Sequence, residues 1–508
     1  MDLWTFQRYQ RPCLCVDAVE HDGSSRFVSL RSGNQTYRLA FDDAAAAAQI
    51  SGELATLNRS DAPLWSTLRE SAPDSAWHNI ATFLDTHSLI RETSDSAAES
   101  LASQAKAIED CIKGTATAIL EGLAPDRLGR VVAHATRLRH DLAAIGRTKS
   151  PFVGDDHDSF DAAAQPNFFL GLLGVEFEYF RRLSPLTLAA VEALLARIAG
   201  EGDSEFSLDP NGSAAEASGL YDQRDLEAHL WLVASCLVAS TSDAAARFPT
   251  AEIPALPLLS GLEFVRQLEI LTRDTPVKWG ENPYVTALEA LNESYSPLIA
   301  GPFIEQYHVT RRFVEIVAPL LSKRLSVPLR KMMFRYFSEE VGHEALESTT
   351  CEAMGISQRA LDLAVPLPLH FAFVDALTVV AELDAIASFA SIMVIEGIFG
   401  EPPKMSLRLA AVARKNPAFR EISGDHDELN ETLNHNSISR DAFEHIAAVS
   451  PAAQRRVMRR ILFLLELNHR AWQGIAEFYG QQQELWLPGS FGQLLAPEGD
   501  RLIRSRAA

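Results

Sequence analysis

The stretch FRYFSEEVGHEALESTT, residues 334–350, sets Glu339, Glu340, Glu344 and Glu347 around a single His343. Read as one helix, it is too acidic for an ordinary buried face and oddly placed for a solvated one. Residues three or four apart share a helix face, so Glu340 and His343 point the same way and Glu339 reaches that face too. A Glu-x-x-His pair brings one carboxylate and one imidazole to one point, a recurrent device for iron in helical proteins. Glu-rich helices are common, so the pair gains weight only if the rest of the chain supplies partners.

Three further segments do so. GPFIEQYHVTRRFVEIV (301–317) carries Glu305 and His308 beside Phe303, Ile304 and Val309. ASFASIMVIEGIFG (387–400) sets Glu396 among Ile392, Met393, Val394, Ile395 and Ile398. A carboxylate there costs several kcal/mol to bury unless it is paired or ligating. SRDAFEHIAAV (439–449) places Asp441 and His445 one turn apart on one face. Hard oxygen donors with imidazoles and no thiolate suit two iron ions bridged by carboxylates. A catalytic zinc site wants three ligands from one compact locale, and the ferritin-like arrangement uses two Glu-x-x-His motifs; this set matches neither.

Bulk properties narrow the class. A chain of 508 residues with 47% hydrophobic side chains suggests several globular units, and its formal net charge of −21 repels nucleic acid and anionic membranes. Five scattered cysteines, Cys13 and Cys15 the only close pair, read as reduced thiols of a cytoplasmic protein. The N-terminus shows no secretory pattern, and Asp375, Glu382, Asp384 and Glu396 argue against a membrane span in the apolar segment 375–400.

The first ninety residues read differently from the rest. RFVSLRSGNQTYRLAF is expected to form two strands around a Gly33–Asn34 turn, with the strand near Arg26–Leu30 as an exposed edge. Asp42 and Asp43 are placed to cap the next helix; further helical patterns follow around Leu64, Trp65 and Leu68 and in SAWHNIATFLDTHSLIRE (75–92). From about residue 95 the signal is helical, with long loops at 146–167, 201–219 and 419–440. The expected layout is a small α+β module (1–93), a helical region (94–270), a metal-binding helical half (271–482) and a tail (483–508). Segments near 167 and 297 share a Gly, a Glu and a Tyr at similar offsets, so the helical region reads as a degenerate repeat or an added cap.

Over residues 285–480 the sequence resembles the haem-oxygenase-like diiron oxidases and oxygenases, relatives of pyrroloquinoline quinone synthase and of the thiaminase-like fold. The order of that family's ligands falls here on Glu305, Glu340, His343, Glu396, Asp441 and His445, with His308 as a further histidine some members carry. The histidine that other members place one turn before the aspartate is replaced by Ser437, which implies a labile second iron. The resemblance implies a mainly α haem-oxygenase-like bundle, two Fe(II) ions, O2 as co-substrate, and an amine or amino-acid-like substrate attacked by N-oxygenation, C–H oxidation or C–C cleavage. It also implies a homodimer. Residues 10–92 resemble the winged-helix peptide-binding module of pyrroloquinoline quinone biosynthesis, which implies a peptide or carrier-tethered substrate held by a leader segment. The competing readings are a metal-free helical scaffold and a cofactor-free oxidase.

The remaining candidates read as bland. Glu339, Glu344 and Glu347 are expected to be solvated or hydrogen-bonded neighbours. Glu382 stands four turns before Glu396 on one continuous helix face, and Tyr307 is placed to shape the pocket. His370, His426 and His469 read as structural or surface groups, with His435 the strongest outsider. Glu176, Glu178, Glu227 and His229 echo the ligand pattern but read as a non-metal region.

Overall fold

In the computed structural model the described residues are 12–57, 76–92, 94–142, 166–180, 185–202, 205–209, 223–250, 252–253, 257–291, 296–398, 409 and 435–495. The chain is mainly helical and divides into two compact units, residues 1–106 with 207–215 and residues 107–206 with 216–508.

The first unit contains β1 (Pro12–Leu14), β2 (Ala18–Glu20), β3 (Phe27–Ser32), β4 (Gln35–Ala40), α1 (Ala44–Leu57), α2 (Ala76–Thr86) and β5 (Ile90–Glu92). Alternation in β3 buries Val28 and Leu30 against Ala47, Ile50 and Leu54 of α1. The register sets Ser32 opposite Gln35, so Gly33 and Asn34 make the turn, and Gly33 takes the φ of +56° that such a turn requires. Asp43 caps α1 by accepting from the Ala46 N–H at 2.8 Å. The strand expected at an edge is not one: β3 lies between β2 and β4, because Ala18–Glu20 forms a third strand too short to stand out in the sequence. β5 closes a separate two-stranded pairing with β1. Leu64, Trp65 and Leu68 lie outside the described residues, as do residues 146–165 and 419–434 of the long loops.

The second unit takes α3 (Ser94–Gly122) from Ala107 on. There follow α4 (Pro125–Leu142), α5 (Phe168–Phe180), α6 (Pro185–Ile198), α7 (Gln223–Ala239), α8 (Gly261–Val277), α9 (Pro283–Glu289), α10 (Pro297–Arg311), α11 (Phe313–Leu321) and α12 (Val327–Glu340). Then come α13 (Glu344–Ala353), α14 (Gln358–Leu363), α15 (Pro368–Leu383), α16 (Ala385–Ile395), α17 (Ile438–Glu444), α18 (Pro451–Phe478) and α19 (Phe491–Leu495). Helix α15 is buried from His370 to Ala381 and packs against α5, α7, α10, α11, α16 and α18. Residues 94–270 and 271–482, read separately in the sequence, therefore share one unit from Ala107 on, apart from residues 207–215. No helix among the described residues is long and apolar enough to cross a membrane.

Two breaks decide where the candidate ligands lie. Residues 334–350 are not one helix: α12 ends at Glu340, Val341 turns to ψ 118°, Gly342 adopts φ +95°, and α13 restarts after His343. Only glycine takes that φ without strain. The segment 382–396 is not one helix either. Asp384 takes an extended conformation (φ −151°) and caps α16 through the N–H groups of Ile386 and Ala387, so Glu382 belongs to α15 and shares no helix face with Glu396.

Ala at position 342 meets no steric obstacle, only the conformational penalty. Gly342→Ala is expected to lower the free energy of unfolding by about 1–2 kcal/mol. The control Gly474→Ala, in open space on α18, should raise it by about 0.5–1 kcal/mol. Urea titrations of both variants check the pair.

Candidate metal centre

Glu340, Glu396 and His435 bring one potential ligand atom each to within 4.8 Å of one another. Each comes from a helix end or turn. Glu340 closes α12, Glu396 is the C-cap of α16, and His435 opens a 3-10 turn (His435–Ser437) ahead of α17. The negative ends of two helix dipoles thus meet two carboxylates, which is unfavourable for the apo fold and favourable for a cation. The His435 Nδ1 lies 2.8 Å from Glu340 Oε1 and 3.9 Å from Glu396 Oε2. His343, swung round by Gly342, sits with Nδ1 2.9 Å from Glu340 Oε2.

A second layer holds this group, and most of it comes from the last two turns of α12. The His435 Nε2 lies 3.2 Å from Glu339, which Arg335 holds at 2.7 Å. The Tyr336 hydroxyl donates to Glu396 Oε1 at 2.6 Å, and its ring packs edge-on against His435. Spacing of four on one helix, 335 with 339 and 336 with 340, puts these groups side by side. A carboxylate behind an imidazole fixes the ring and its tautomer, as in many metal sites.

Electrostatics follow from this packing. Burial pushes the Glu340 carboxyl up, but hydrogen bonds from His343 and His435 and their charge outweigh it and hold it below the ordinary carboxylate range. Burial, reinforced by the charge of Glu340, pushes Glu396 up to about 7. The bond to Glu340 raises His343; burial opposes charge at His435, yet its contacts with Glu340 and Glu396 leave it raised. Protons here occupy the positions a cation would take, so metal and proton compete.

The other expected ligands lie elsewhere. Glu305 is buried on α10, accepting from the Leu367 N–H at 2.8 Å and the Tyr479 hydroxyl at 2.8 Å. The Tyr479 ring rests on Gly301, where a Cβ would stand 2.5 Å from it, so Gly301 and Glu305 together dock α18. His308 is buried on the same helix, and neither residue joins the group of three. Asp441 and His445 are exposed: Asp441 accepts from the Ser437 hydroxyl at 2.9 Å, and His445 caps α17 after its last turn. Tyr307 is engaged by Asp362 and Gln358 rather than by the triad. Phe303 packs in the α10–α18 core, whereas Ile392 lines a narrow apolar pocket behind Tyr336 with Ile316, Val317 and Met333.

Sequence reasoning gave two groups less weight than their positions carry. His435, read in the sequence only as the strongest outsider, joins Glu340 and Glu396 from a 3-10 turn ahead of α17 rather than from a helix face. Its signal was a histidine closing a long loop. Glu347, read as a solvated or hydrogen-bonded neighbour, is 2% exposed and so not solvated, since the restart of the helix after Gly342 turns it inward. His370 and His469 are buried, and His469 packs against Phe248 and Trp279. His426 lies outside the described residues.

No protein-family model matches the chain, and no curated protein matches it. Among solved structures it is similar to the crystal structure of a domain of unknown function with a heme oxygenase-like fold from Shewanella denitrificans OS217. The identity is 13%, the match covers 44% of this chain and 94% of that one, and the TM-score is 0.36.

Burial raises Glu347 to about 8 from an ordinary 4.5 and Glu305 to about 7. Both stay protonated in the folded chain at pH values where the unfolded chain has lost those protons. Stability is therefore lost as pH rises from about 4.5 through 7 to 8. Glu347→Gln should flatten the fall in unfolding free energy between about pH 5 and pH 8. Urea titrations across that range read the slope, and an unchanged slope would remove Glu347 from this account.

Proposed function

We propose that the second unit is a non-haem iron oxidase or oxygenase of haem-oxygenase-like architecture that uses O2 on an amine or amino-acid-derived substrate. The observation that carries this reading is the convergence of Glu340, Glu396 and His435 at two helix C-termini. Two carboxylate oxygens and an imidazole nitrogen with no thiolate are a donor set for ferrous iron. The residues fit one ion. A second ion, expected from the resemblance, finds no second such group among the described residues. Iron held by such donors supplies the activation of O2.

The chain's own groups do the rest. Glu339 accepts the Nε2 proton of His435 and so frees Nδ1 to face the two carboxylates. His343 fixes the outer oxygen of Glu340, and Tyr336 fixes one oxygen of Glu396. The apolar pocket of Ile316, Val317, Met333 and Ile392 keeps water from the Tyr336 side.

Anaerobic loading with Fe(II), followed by desalting and metal analysis, tests the reading. The parent chain is expected to retain about one iron, and Glu340→Gln or His435→Gln to lose it, each removing a donor. Asp441→Asn and Glu305→Gln should retain it. Equal iron in all five proteins, or none in the parent, sinks the assignment in favour of a scaffold or cofactor-free oxidase.

For the first unit we propose delivery of a peptide or carrier-tethered substrate. Among the described residues β2 and β4 pair only with β3, so the edges that could accept an added strand are β2 and β4 rather than β3. Deleting residues 1–93 should sharply lower turnover of a tethered substrate while iron loading survives. Undiminished turnover would make the unit a structural element.

A further inference from the structure

The two helices that end in the triad's carboxylates also enclose a cavity one turn further back. On α12, Met333 and Tyr336 precede Glu340 by seven and four residues, and on α16 Ile392 precedes Glu396 by four, so each lies on the face of its carboxylate. These three line one cavity with Ile316, Val317 and Leu320 of α11. All six side chains are at most 5% exposed. Between them about 10 Å³ is open to the centre of a water-sized molecule, roughly the room that one such molecule needs.

The lining decides what the cavity takes. A buried water asks for roughly two to four polar partners. The Tyr336 hydroxyl is spent on Glu396 at 2.6 Å, and the Ser391 hydroxyl on the Ser388 carbonyl oxygen at 2.8 Å. Among the lining side chains that leaves at most the Ser388 hydroxyl for a guest. An amine or amino acid is too large for the space and carries a charge that the lining cannot pair. A small apolar molecule has no hydrogen bonds to lose on entering, and dry apolar cavities take up such guests, xenon among them. Tyr336 is the wall between cavity and triad: its ring meets His435 edge-on at 5.1 Å between centroids, and Phe313 edge-on at 5.5 Å.

We propose that this cavity is a holding site for dioxygen beside the triad, an inference that rests on the O2-using reaction proposed above. Dioxygen is small, carries no dipole and prefers apolar surroundings to water, which is what the space between α11, α12 and α16 offers. A guest there stands one aromatic ring away from Glu396 and His435. The cavity contributes no donor atom to the triad, so filling it lowers the supply of dioxygen and leaves the metal ligands in place.

Dioxygen is paramagnetic and speeds the relaxation of protons beside it, and Met333 puts a methyl group in the cavity wall. The full chain, free of metal and carrying carbon-13 methionine methyls, is compared by nuclear magnetic resonance under argon and under pressurised oxygen. Oxygen is expected to speed relaxation of the Met333 methyl several-fold more than that of Met458, which is as deeply buried on α18 (1% and 2% exposed). Val317→Phe fills the cavity and should bring Met333 down to the Met458 value, with far-ultraviolet circular dichroism reporting the fold. Should that variant not fold, Val317→Ile, larger by one methylene group, takes its place. Equal effects at Met333 and Met458 in the parent chain, or an effect at Met333 that survives filling, overturn the proposal. With Fe(II) loaded, the filled variant should keep its iron and need several-fold more oxygen for the same rate of Fe(II) oxidation; an unchanged oxygen dependence overturns the proposal as well. The methyl measurement involves no iron, so its failure is distinct from that of the reaction on which the inference rests, which a parent chain without iron reports.

Discussion

Helix Pro368–Leu383 has no wet face, and a helix apolar all round has to be surrounded. Six other helices of the second unit enclose it, and it carries Asp375 at its middle. That carboxylate is tolerable only because Arg312, also buried, reaches it at 2.6 Å while its guanidinium lies over the Phe371 ring, 4.2 Å from the centroid. Arg312 sits at the break between α10 and α11, where it also meets Glu315 and the Tyr179 hydroxyl. Removing one member of a buried pair typically costs about 3–5 kcal/mol, because the other is left charged in an apolar interior. The packing of early helices against late ones therefore runs through this contact.

The triad obeys a different logic. Its carboxylates are at helix C-termini, where the backbone already presents unpaired carbonyls and negative potential. A fold selected for stability alone would place lysine or arginine there. Histidines 343 and 435 relieve part of the repulsion, as the depressed Glu340 carboxyl and the raised imidazoles record. Strongly perturbed, mutually dependent groups in one place are a mark of functional sites.

Glu176, His229 and Asp375, buried where α5, α7 and α15 pack on one another, are a second group of acid and imidazole with similar chemistry in the opposite setting. At the triad, imidazole protons lie among the carboxylates, and both oxygens of Glu340 and one of Glu396 have a donor. Around Glu176 the donors are missing, and the one imidazole turns its lone pair inward. The first arrangement exchanges a proton for a cation at little structural cost. In the second, burial and the neighbouring Asp375 push the Glu176 carboxyl well above the ordinary carboxylate range.

Much of this was legible in the chain. The helical character, the hairpin at Gly33–Asn34, the cap at Asp43, and Glu340, His343 and Glu396 as a candidate set all follow from local spacing and composition, which act over one or two turns. Three features did not follow. A six-residue β3 looks the same as an edge or as a centre, since its status depends on whether Ala18–Glu20 pairs with it. Glu305 and His308 have the same apolar neighbours as a ligand would, and the sequence does not show that the Tyr479 hydroxyl and the Leu367 N–H meet the Glu305 carboxylate. Periodicity carried an unbroken helix through Gly342 and through Asp384, where one positive φ and one capped turn redirect the chain. The amino-acid sequence by itself determined which residue types could bind a metal. Which of them meet was decided by helix ends brought together from distant segments, because ligand convergence depends on packing between helices and the periodicity of each helix carries no record of it.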